Sequence, residues 1–111
     1  MLRRQKNIPL DYSLCCMTVT LYRENIRQVL RGVHFEYTDQ QKTGLGAHTA
    51  SRQFLLVIPG AADIRPGDRV VLGEGPAICG HIPDMQSLCV VGSVKPRYFR
   101  GQLCHTEARG E

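Results

Sequence analysis

The chain has 111 residues, 42% of them hydrophobic and 22% charged, with 14 lysines and arginines against 10 acidic residues. This length and composition indicate one globular domain with a single modest core, and they argue against a chain that is disordered throughout. The net charge of +4 is mildly basic, but there is no tryptophan and only 6% of the residues are aromatic. The scarcity of rings disfavours a platform that stacks nucleic-acid bases.

The five cysteines and the basic N-terminus indicate the cellular compartment in which the chain is expected. The cysteines are odd in number, and Cys15 and Cys16 are adjacent. The basic start is not followed by the apolar stretch of a signal peptide, and the longest apolar run, residues 54–58, is far too short to cross a membrane. We expect a cytoplasmic chain with buried, reduced thiols, a flexible basic arm over residues 1–12 and one domain over residues 13–111.

The first half of the chain predicts two strands and then a loop. Apolar and polar residues alternate over residues 13–23, which is typical of a half-buried strand. A turn follows, and residues 26–38 predict a second strand with a bulge at Gly32 that corrects its register. A helix over residues 24–31 is the alternative to the start of that strand. Residues 39–51 lack periodicity, so a long internal loop is expected there.

The second half predicts shorter strands between turn signals. Proline and glycine at positions 66 and 67 predict a turn, and a second turn is predicted over residues 96–101. Residues 77–88 are irregular, with one helical turn beginning at Asp84. The remaining strands are predicted over residues 52–59, 69–72, 89–95 and 102–108. About six strands with at most one short helix predict a mainly β fold, a small antiparallel β-barrel.

Cysteine and histidine neighbours do not predict a metal site or an activated thiol. Cys79 and His81, like Cys104 and His105, lack the Cys-x2-Cys spacing that lets two thiolates share one zinc ion. Adjacent residues on a strand also point to opposite faces. No thiol is marked as a nucleophile by a helix N-terminus or a basic neighbour. We therefore expect no metal, no cofactor and no enzymatic activity.

The glycine pairs are interpreted as structural, and the acidic pairs are interpreted as solvated surface residues. The Gly-x-Gly segments at 44–46 and 73–75 lack the strand–loop–helix context of a phosphate loop. Solvated surface is the prediction for the acidic pairs Glu36/Asp39 and Asp63/Asp68.

Basic residues form three groups that are the candidate interface residues. Such groups can contact DNA phosphates without reading sequence, and the acidic faces of neighbouring subunits would explain them equally well. The three groups are Arg23, Arg27 and Arg31; Lys95, Arg97 and Arg100; and Arg3, Arg4 and Lys6.

The order of several short segments carries a family resemblance. The segments are VTLYR at 19–23, GVHFE at 32–36, FLLVIP at 54–59, GDRVVLGE at 67–74 and VGSV at 91–94, followed by a basic turn and LCH at 103–105. The series resembles the small minor capsid and head–tail connector proteins of phages and prophages of Gram-positive bacteria, in the stopper or head-completion class. His105 and Gly110 fit the family, whereas Thr106 replaces a bulky residue and Pro96 interrupts the usual polar turn.

This resemblance implies a structural role in the virion, at the head–tail interface, after synthesis in the host cytoplasm. Members of the class have a small β-barrel and form a ring beneath the portal and its adaptor, where they continue the DNA channel and dock the tail. The implied partners are other copies of the chain, portal or adaptor and tail proteins, and packaged DNA in non-specific contact, with no membrane. The loop that would enter the lumen contains Lys42, Thr43, Gly44, Leu45, Gly46 and His48.

Two other functional classes stay open at this point. A barrel-type nucleic-acid-binding module is favoured by the arginine content and disfavoured by the few aromatic residues. A small thiol-dependent enzyme would require one cysteine of unusual reactivity.

Overall fold

The computed structural model describes residues 12–44, 47–80 and 88–111, and between residues 39 and 52 it describes the backbone alone. Six antiparallel strands close into a barrel in the order β1-β2-β3-β6-β5-β4, with β4 pairing back onto β1. The elements are a 3-10 turn at Tyr12–Leu14 and the strands β1 Met17–Arg23, β2 Ile26–Gly44, β3 Ala47–Pro59, β4 Arg69–Leu72, β5 Cys89–Phe99 and β6 Gln102–Gly110. The prediction of a small, mainly β barrel is confirmed. Within these ranges, no helix has the length and apolar character needed to cross a membrane.

The hydrophobic core fills the barrel with alternate residues of every strand. At its centre the ring of Phe35 stacks on the ring of Phe54, with 5.4 Å between centroids. Each fully buried apolar side chain of this kind stabilises the fold by about 1.5–3 kcal/mol. The buried cluster comprises Val19, Leu21, Val33, Phe35, Phe54, Leu56, Ile58, Ile64, Val70, Cys89, Val91 and Ala108.

A bulge lies at Gly32, as the sequence predicted, and it marks the point where β2 changes from one neighbouring strand to another. Met17 pairs with Val33 while Thr18 pairs with Arg31, so Gly32 is left unpaired, at a φ of 71°. Glycine adopts this left-handed conformation without the steric cost that other residues incur. Beyond the bulge, β2 leaves β1 and pairs with β3. Residues 26–30 are strand rather than helix, which confirms the preferred interpretation.

The loop predicted over residues 39–51 is wrong for the residues that are described there. β2 and β3 continue through it as an antiparallel ribbon whose last pair is Gly44 with Ala47. Backbone pairing defines the ribbon, which no third strand joins among the described residues, and pairing of this kind requires no alternating apolar pattern. The Cα radius of gyration is 15.2 Å, against about 13 Å for a compact domain of this length.

The turn predicted over residues 96–101 is shorter than expected. β5 continues through Pro96, which pairs with Thr106, and the turn occupies Arg100 and Gly101. β4 pairs with β5 only near Cys89 and Val90, so β5 has one neighbouring strand at Pro96. Proline lacks the N–H that a second neighbour would require, and such an edge position tolerates it. The helical turn predicted at Asp84 lies outside the described residues.

Candidate functional site

The ribbon carries the residues predicted for the channel loop. Lys42 pairs with Thr49 and Thr43 pairs with His48, whereas Leu45 and Gly46 lie outside the described residues. Outward from the pair of Thr38 with Gln53, six further pairs follow, from Asp39–Arg52 to Gly44–Ala47. At about 3.4 Å per residue the ribbon extends about 20 Å. A two-stranded ribbon is marginally stable alone, so contact with a neighbouring molecule would stabilise it.

The outer side of β1 is covered by a strap, residues 73–76, that follows β4. The hydroxyl of Thr20 donates to the carbonyl of Gly73 at 2.7 Å and accepts the N–H of Gly75 at 2.8 Å. The hydroxyl of Tyr22 donates to the carbonyl of the last strap residue at 2.7 Å. Thr20 and Tyr22 are fully buried although they face away from the core. Strand β1 is therefore buried on both faces, where the sequence predicted burial on one.

Two arginines of the first basic group hold the strap. Arg27 donates from Nε at 3.0 Å and from Nη2 at 2.6 Å to the carbonyl of Gly75. Arg31 forms an ion pair with Glu74, with 2.8 Å between Nη2 and Oε1. Both guanidinium groups are thus bound to their own chain at the surface where the sequence predicted an interface.

The third arginine of that group binds two carboxylates where β1 ends. Arg23 donates from Nε and Nη2 to the two carboxylate oxygens of Asp68 at 2.8 and 2.7 Å, and from Nη1 to Asp63 at 3.2 Å. Asp68 also accepts the N–H of Arg65 at 2.8 Å. The prediction of a solvated pair is wrong for Asp68, which is 3% exposed. The side chain of Asp63 remains 67% exposed.

These contacts favour the charged forms of all three groups. Hydrogen bonds to Asp68 and then Asp63 raise the pKa of Arg23 above its ordinary value. Burial acts to raise the pKa of Asp68, but the hydrogen bonds from Arg23 and from the N–H of Arg65 outweigh it and hold that pKa below the ordinary value. The hydrogen bond from Arg23 lowers the pKa of Asp63.

The basic group near the end of the chain lies on the β5–β6 hairpin. Arg97 donates from Nε to Glu107 at 2.8 Å. Arg100 sits in the turn at a φ of 52°, and its guanidinium carbon lies 5.3 Å from the centroid of the Phe99 ring. Lys95 is exposed and lies opposite Glu107 in the register of the two strands.

A buried histidine beside this group was missed as a site by sequence reasoning. His105 is 1% exposed, its Nδ1 lies 2.5 Å from the Tyr12 hydroxyl, and its Nε2 lies 3.0 Å from Glu107. Glu107 in turn accepts from Arg97. Burial acts to raise the pKa of Glu107, but hydrogen bonds from His105 and Arg97 outweigh it and lower that pKa. The signal available in the sequence was the two-residue spacing of His105 and Glu107, which places them on one face of a strand.

The cysteines are arranged differently from the expectation of uniform burial. All five are free, and Cys89 is buried, but Cys16 and Cys79 are exposed. Among the residues that the structure describes, no group of three or more His, Cys, Asp or Glu side chains could hold a metal ion. His81 and the basic residues of the arm, Arg3, Arg4 and Lys6, lie outside the described part of the chain.

The geometry separates two kinds of candidate surface. Around β1 and β2 the arginines bind carboxylates and carbonyls of their own chain, whereas Lys95 on the β5–β6 hairpin is exposed and forms no ion pair among the described residues. Comparison with known proteins found no family model, no curated protein and no solved structure that matches the chain.

Proposed function

We propose that this chain is a structural head–tail joining protein, of the stopper or head-completion class, in a tailed phage or prophage. In this role copies assemble as a ring under the portal and its adaptor, extend or close the DNA channel, and dock the tail. The order of the sequence segments suggests the class. The observation that carries the proposal is the ribbon formed by β2 and β3, which extends about 20 Å from the barrel.

The ribbon has the form of an element that would project from each subunit into the channel of a ring. Beyond Thr38 and Gln53 its two strands pair with each other, and no third strand joins them among the described residues. Backbone groups on the two outer edges are therefore available to solvent or to a neighbour. The rest of the described sheet is closed into a barrel. In a ring of copies, each barrel would therefore have few unpaired strand edges.

The composition of the ribbon suits a channel through which DNA must pass. Residues 39–52 contain one acidic side chain, Asp39, and two permanently basic ones, Lys42 and Arg52, among mostly neutral polar residues. Affinity for DNA phosphates grows with the number of cationic contacts. A polar and nearly neutral ribbon therefore meets DNA without binding it tightly, and retention of DNA in the filled head would come from steric closure by several copies.

The test is a shortened ribbon in the phage or prophage that encodes the chain. Residues 42–49 are replaced by Asn-Gly, a two-residue turn that joins the register pair of Gln41 with Ala50. The gene is deleted and complemented by the wild type or the variant, and DNA-filled particles are counted by electron microscopy. We expect normal folding and a loss of retained DNA, because the barrel is intact and the closing element is gone.

The matched control is Lys42→Gln in a ribbon of full length, which should retain DNA because steric closure does not depend on that charge. A shortened ribbon that still retains packaged DNA would contradict the proposal. The neighbouring genes provide an independent check. Terminase, portal and capsid genes upstream with tail genes downstream are expected, and a setting among metabolic enzymes would overturn the assignment.

A further inference from the structure

Tyr12, His105 and Glu107 form a chain of hydrogen bonds on the outer side of β6, here called the Tyr12 triad. The Tyr12 hydroxyl lies 2.5 Å from Nδ1 of His105, and Nε2 of the same ring lies 3.0 Å from Oε1 of Glu107. A nucleophile, a base and a group that orients the base follow one another in this order in enzymes that form covalent intermediates. The triad therefore has the arrangement of an activated nucleophile.

The charge of Glu107 determines which nitrogen of His105 carries the hydrogen. Burial acts to raise the pKa of Glu107, but hydrogen bonds from His105 and Arg97 outweigh it, so the side chain is a carboxylate at neutral pH. A carboxylate only accepts hydrogen bonds, and therefore Nε2 of a neutral ring carries the hydrogen and donates it to Glu107. Nδ1 is then the acceptor, and the Tyr12 hydroxyl donates to it.

The neighbouring strands hold the ring of His105 in one position. The side chain is 1% exposed, and the ring of Tyr12 packs on it edge to face with 5.5 Å between centroids. Arg97 lies opposite His105 on β5 and donates from Nε to the second oxygen of Glu107 at 2.8 Å. The residue opposite His105 on β3 is Pro59, which has no charge. Among the described residues, Tyr12, Glu107 and Arg97 are thus the titratable or charged groups that face the imidazole.

Tyr12 is the member of the triad that solvent reaches most easily. It is partly exposed, in the 3-10 turn before β1, whereas His105 is buried. A phenol in water keeps its proton until about pH 10 and is a weak nucleophile at neutral pH. A base within hydrogen-bond distance increases its reactivity, because the proton leaves the oxygen as the new bond forms.

We infer that Tyr12 is a nucleophile that accepts an acyl group from an activated acyl donor, with His105 as its base and Glu107 as the positioning residue. The phenol oxygen attacks the carbonyl carbon of the donor, and its proton moves to Nδ1 of His105. The bond between that carbon and the leaving group then breaks, and the leaving group takes the proton from Nδ1. The products are an O-acyl tyrosine and the protonated leaving group, and the step needs no oxidant or reductant.

The same step changes how the 3-10 turn is held against β6. An ester oxygen has no hydrogen to donate, so acylation removes the hydrogen bond between Tyr12 and Nδ1 of His105. Modification of Tyr12 would therefore loosen this turn from the barrel. The inference goes beyond the proposed function and does not depend on it.

The test compares Tyr12 with Tyr98 in the same molecule. Tyr98 is 64% exposed, and among the described residues no hydrogen bond joins its hydroxyl to a base. The full-length protein is treated with N-acetylimidazole at neutral pH, and acetylation of each tyrosine is followed over time by peptide mass spectrometry. We expect Tyr12 to react at least about tenfold faster, because base assistance typically contributes about a hundredfold or more, although exposure alone would favour Tyr98.

Substitutions in the triad separate the base from the residue that positions it. His105→Gln should lower the Tyr12 rate to that of Tyr98 or below, because the base is gone. Glu107→Gln should lower it at least about tenfold, because an amide can donate to Nε2 and so favour the tautomer whose Nδ1 carries the hydrogen. Tyr98→Phe is the control and should leave the Tyr12 rate unchanged. Circular dichroism of each variant checks that the fold is retained.

The pH profile distinguishes base assistance from simple exposure. Below about pH 10 an unassisted phenol reacts about tenfold faster for each unit of pH, because its ionised fraction grows. Tyr98 should follow this slope, whereas Tyr12 should show a shallower slope near neutral pH because a neutral histidine supplies the base.

Equal rates or equal slopes for the two tyrosines in the wild type would overturn the inference and leave the contact with His105 as a structural one. An unchanged Tyr12 rate in His105→Gln would overturn it as well. DNA retention is measured separately with the shortened ribbon, so either result leaves the proposed function standing.

Discussion

Two regions of this barrel contain similar numbers of basic residues, and more of them are bound by their own chain in one region than in the other. Around β1 and β2, Arg23, Arg27 and Arg31 bind carboxylates and a carbonyl of their own chain. On the β5–β6 hairpin, Arg97 binds Glu107, whereas Lys95 and Arg109 are exposed and form no ion pair among the residues described. Basic residues that look alike in the sequence thus stabilise the fold in one region and remain available for a partner in the other.

The difference follows from what lies opposite each strand. The outer side of β1 and β2 is covered by the strap, which brings the carbonyl of Gly75 and the carboxylate of Glu74 within reach. Asp68 lies where β1 ends and meets Arg23 there. On the outer side of β5 and β6, Tyr12 contacts His105, and Glu107 is the one acidic residue of the two strands. The three predictions below test this contrast, beginning with the largest expected effect.

Asp68→Asn should lower the free energy of unfolding by about 3 kcal/mol. The amide nitrogen of asparagine would face the guanidinium of Arg23, so one of the two acceptors that Asp68 provides would be lost, and the exposed Asp63 would be the one carboxylate left to pair with Arg23. Chemical denaturation at neutral pH measures the change. Lys95→Gln is the matched control and should stay within about 0.5 kcal/mol of the wild type, because its side chain is exposed. Equal effects of the two substitutions would remove the distinction between the regions.

Gly75→Ala should cost about 2 kcal/mol through overpacking. A methyl group at this position would meet the hydroxyl of Tyr22 and a side-chain carbon of Val71, because the strap lies directly on β1. Gly92→Ala is the control, since its methyl group would make only ordinary contacts at 3.6 and 3.8 Å. Thermal and chemical denaturation should separate the two variants. If both behave alike, the strap is not packed as closely as described.

Acidification is expected to have the smallest effect on the stability of the fold. Protonation leaves the shape of each carboxyl group and its oxygen atoms in place. Asp68 and Glu107 have pKa values below their ordinary range because hydrogen bonds to arginine and other donors outweigh burial. Between the folded and unfolded pKa values the unfolded chain binds more protons, so stability falls as pH drops below about 4. Denaturation curves at several acidic pH values should show this fall, and it should be shallower in Asp68→Asn. An unchanged acid dependence in that variant would contradict the assignment.

Much of the fold follows from local pattern. Alternation predicts β1, a continuous apolar run predicts β3, and the Pro66-Gly67 turn precedes β4 as expected. Gly32 was predicted to be a bulge because the core-facing pattern shifts by one residue there, and the register confirms it. The outer parts of β2 and β3 and the second half of β5 were missed because they have fewer neighbouring strands, and pairing by backbone groups alone has no signature in side-chain pattern.

The sites were less predictable than the strands because their contacts join distant residues. Arg23 and Asp68 are 45 positions apart, and Tyr12 and His105 are 93 positions apart. Spacing along the chain cannot show which arginine meets a carboxylate and which meets solvent. The four-residue steps of the first basic group also had no structural meaning, because Arg23 follows Leu21 on the core-facing side of β1 while Arg27 lies opposite Tyr22 on the outer side.

The contact between Arg23 and Asp68 also has a kinetic consequence. It joins the end of β1 to the residue that precedes β4. The pairing of these two strands closes the barrel. β4 pairs with β5 through only two residue pairs, so β4 is held in the barrel mainly by its pairing with β1. Because closing so long a loop costs chain entropy, we expect this contact to form late in folding, and loss of a late contact mainly increases the unfolding rate. We therefore expect this ion pair to determine how long the barrel stays closed more than how fast it forms.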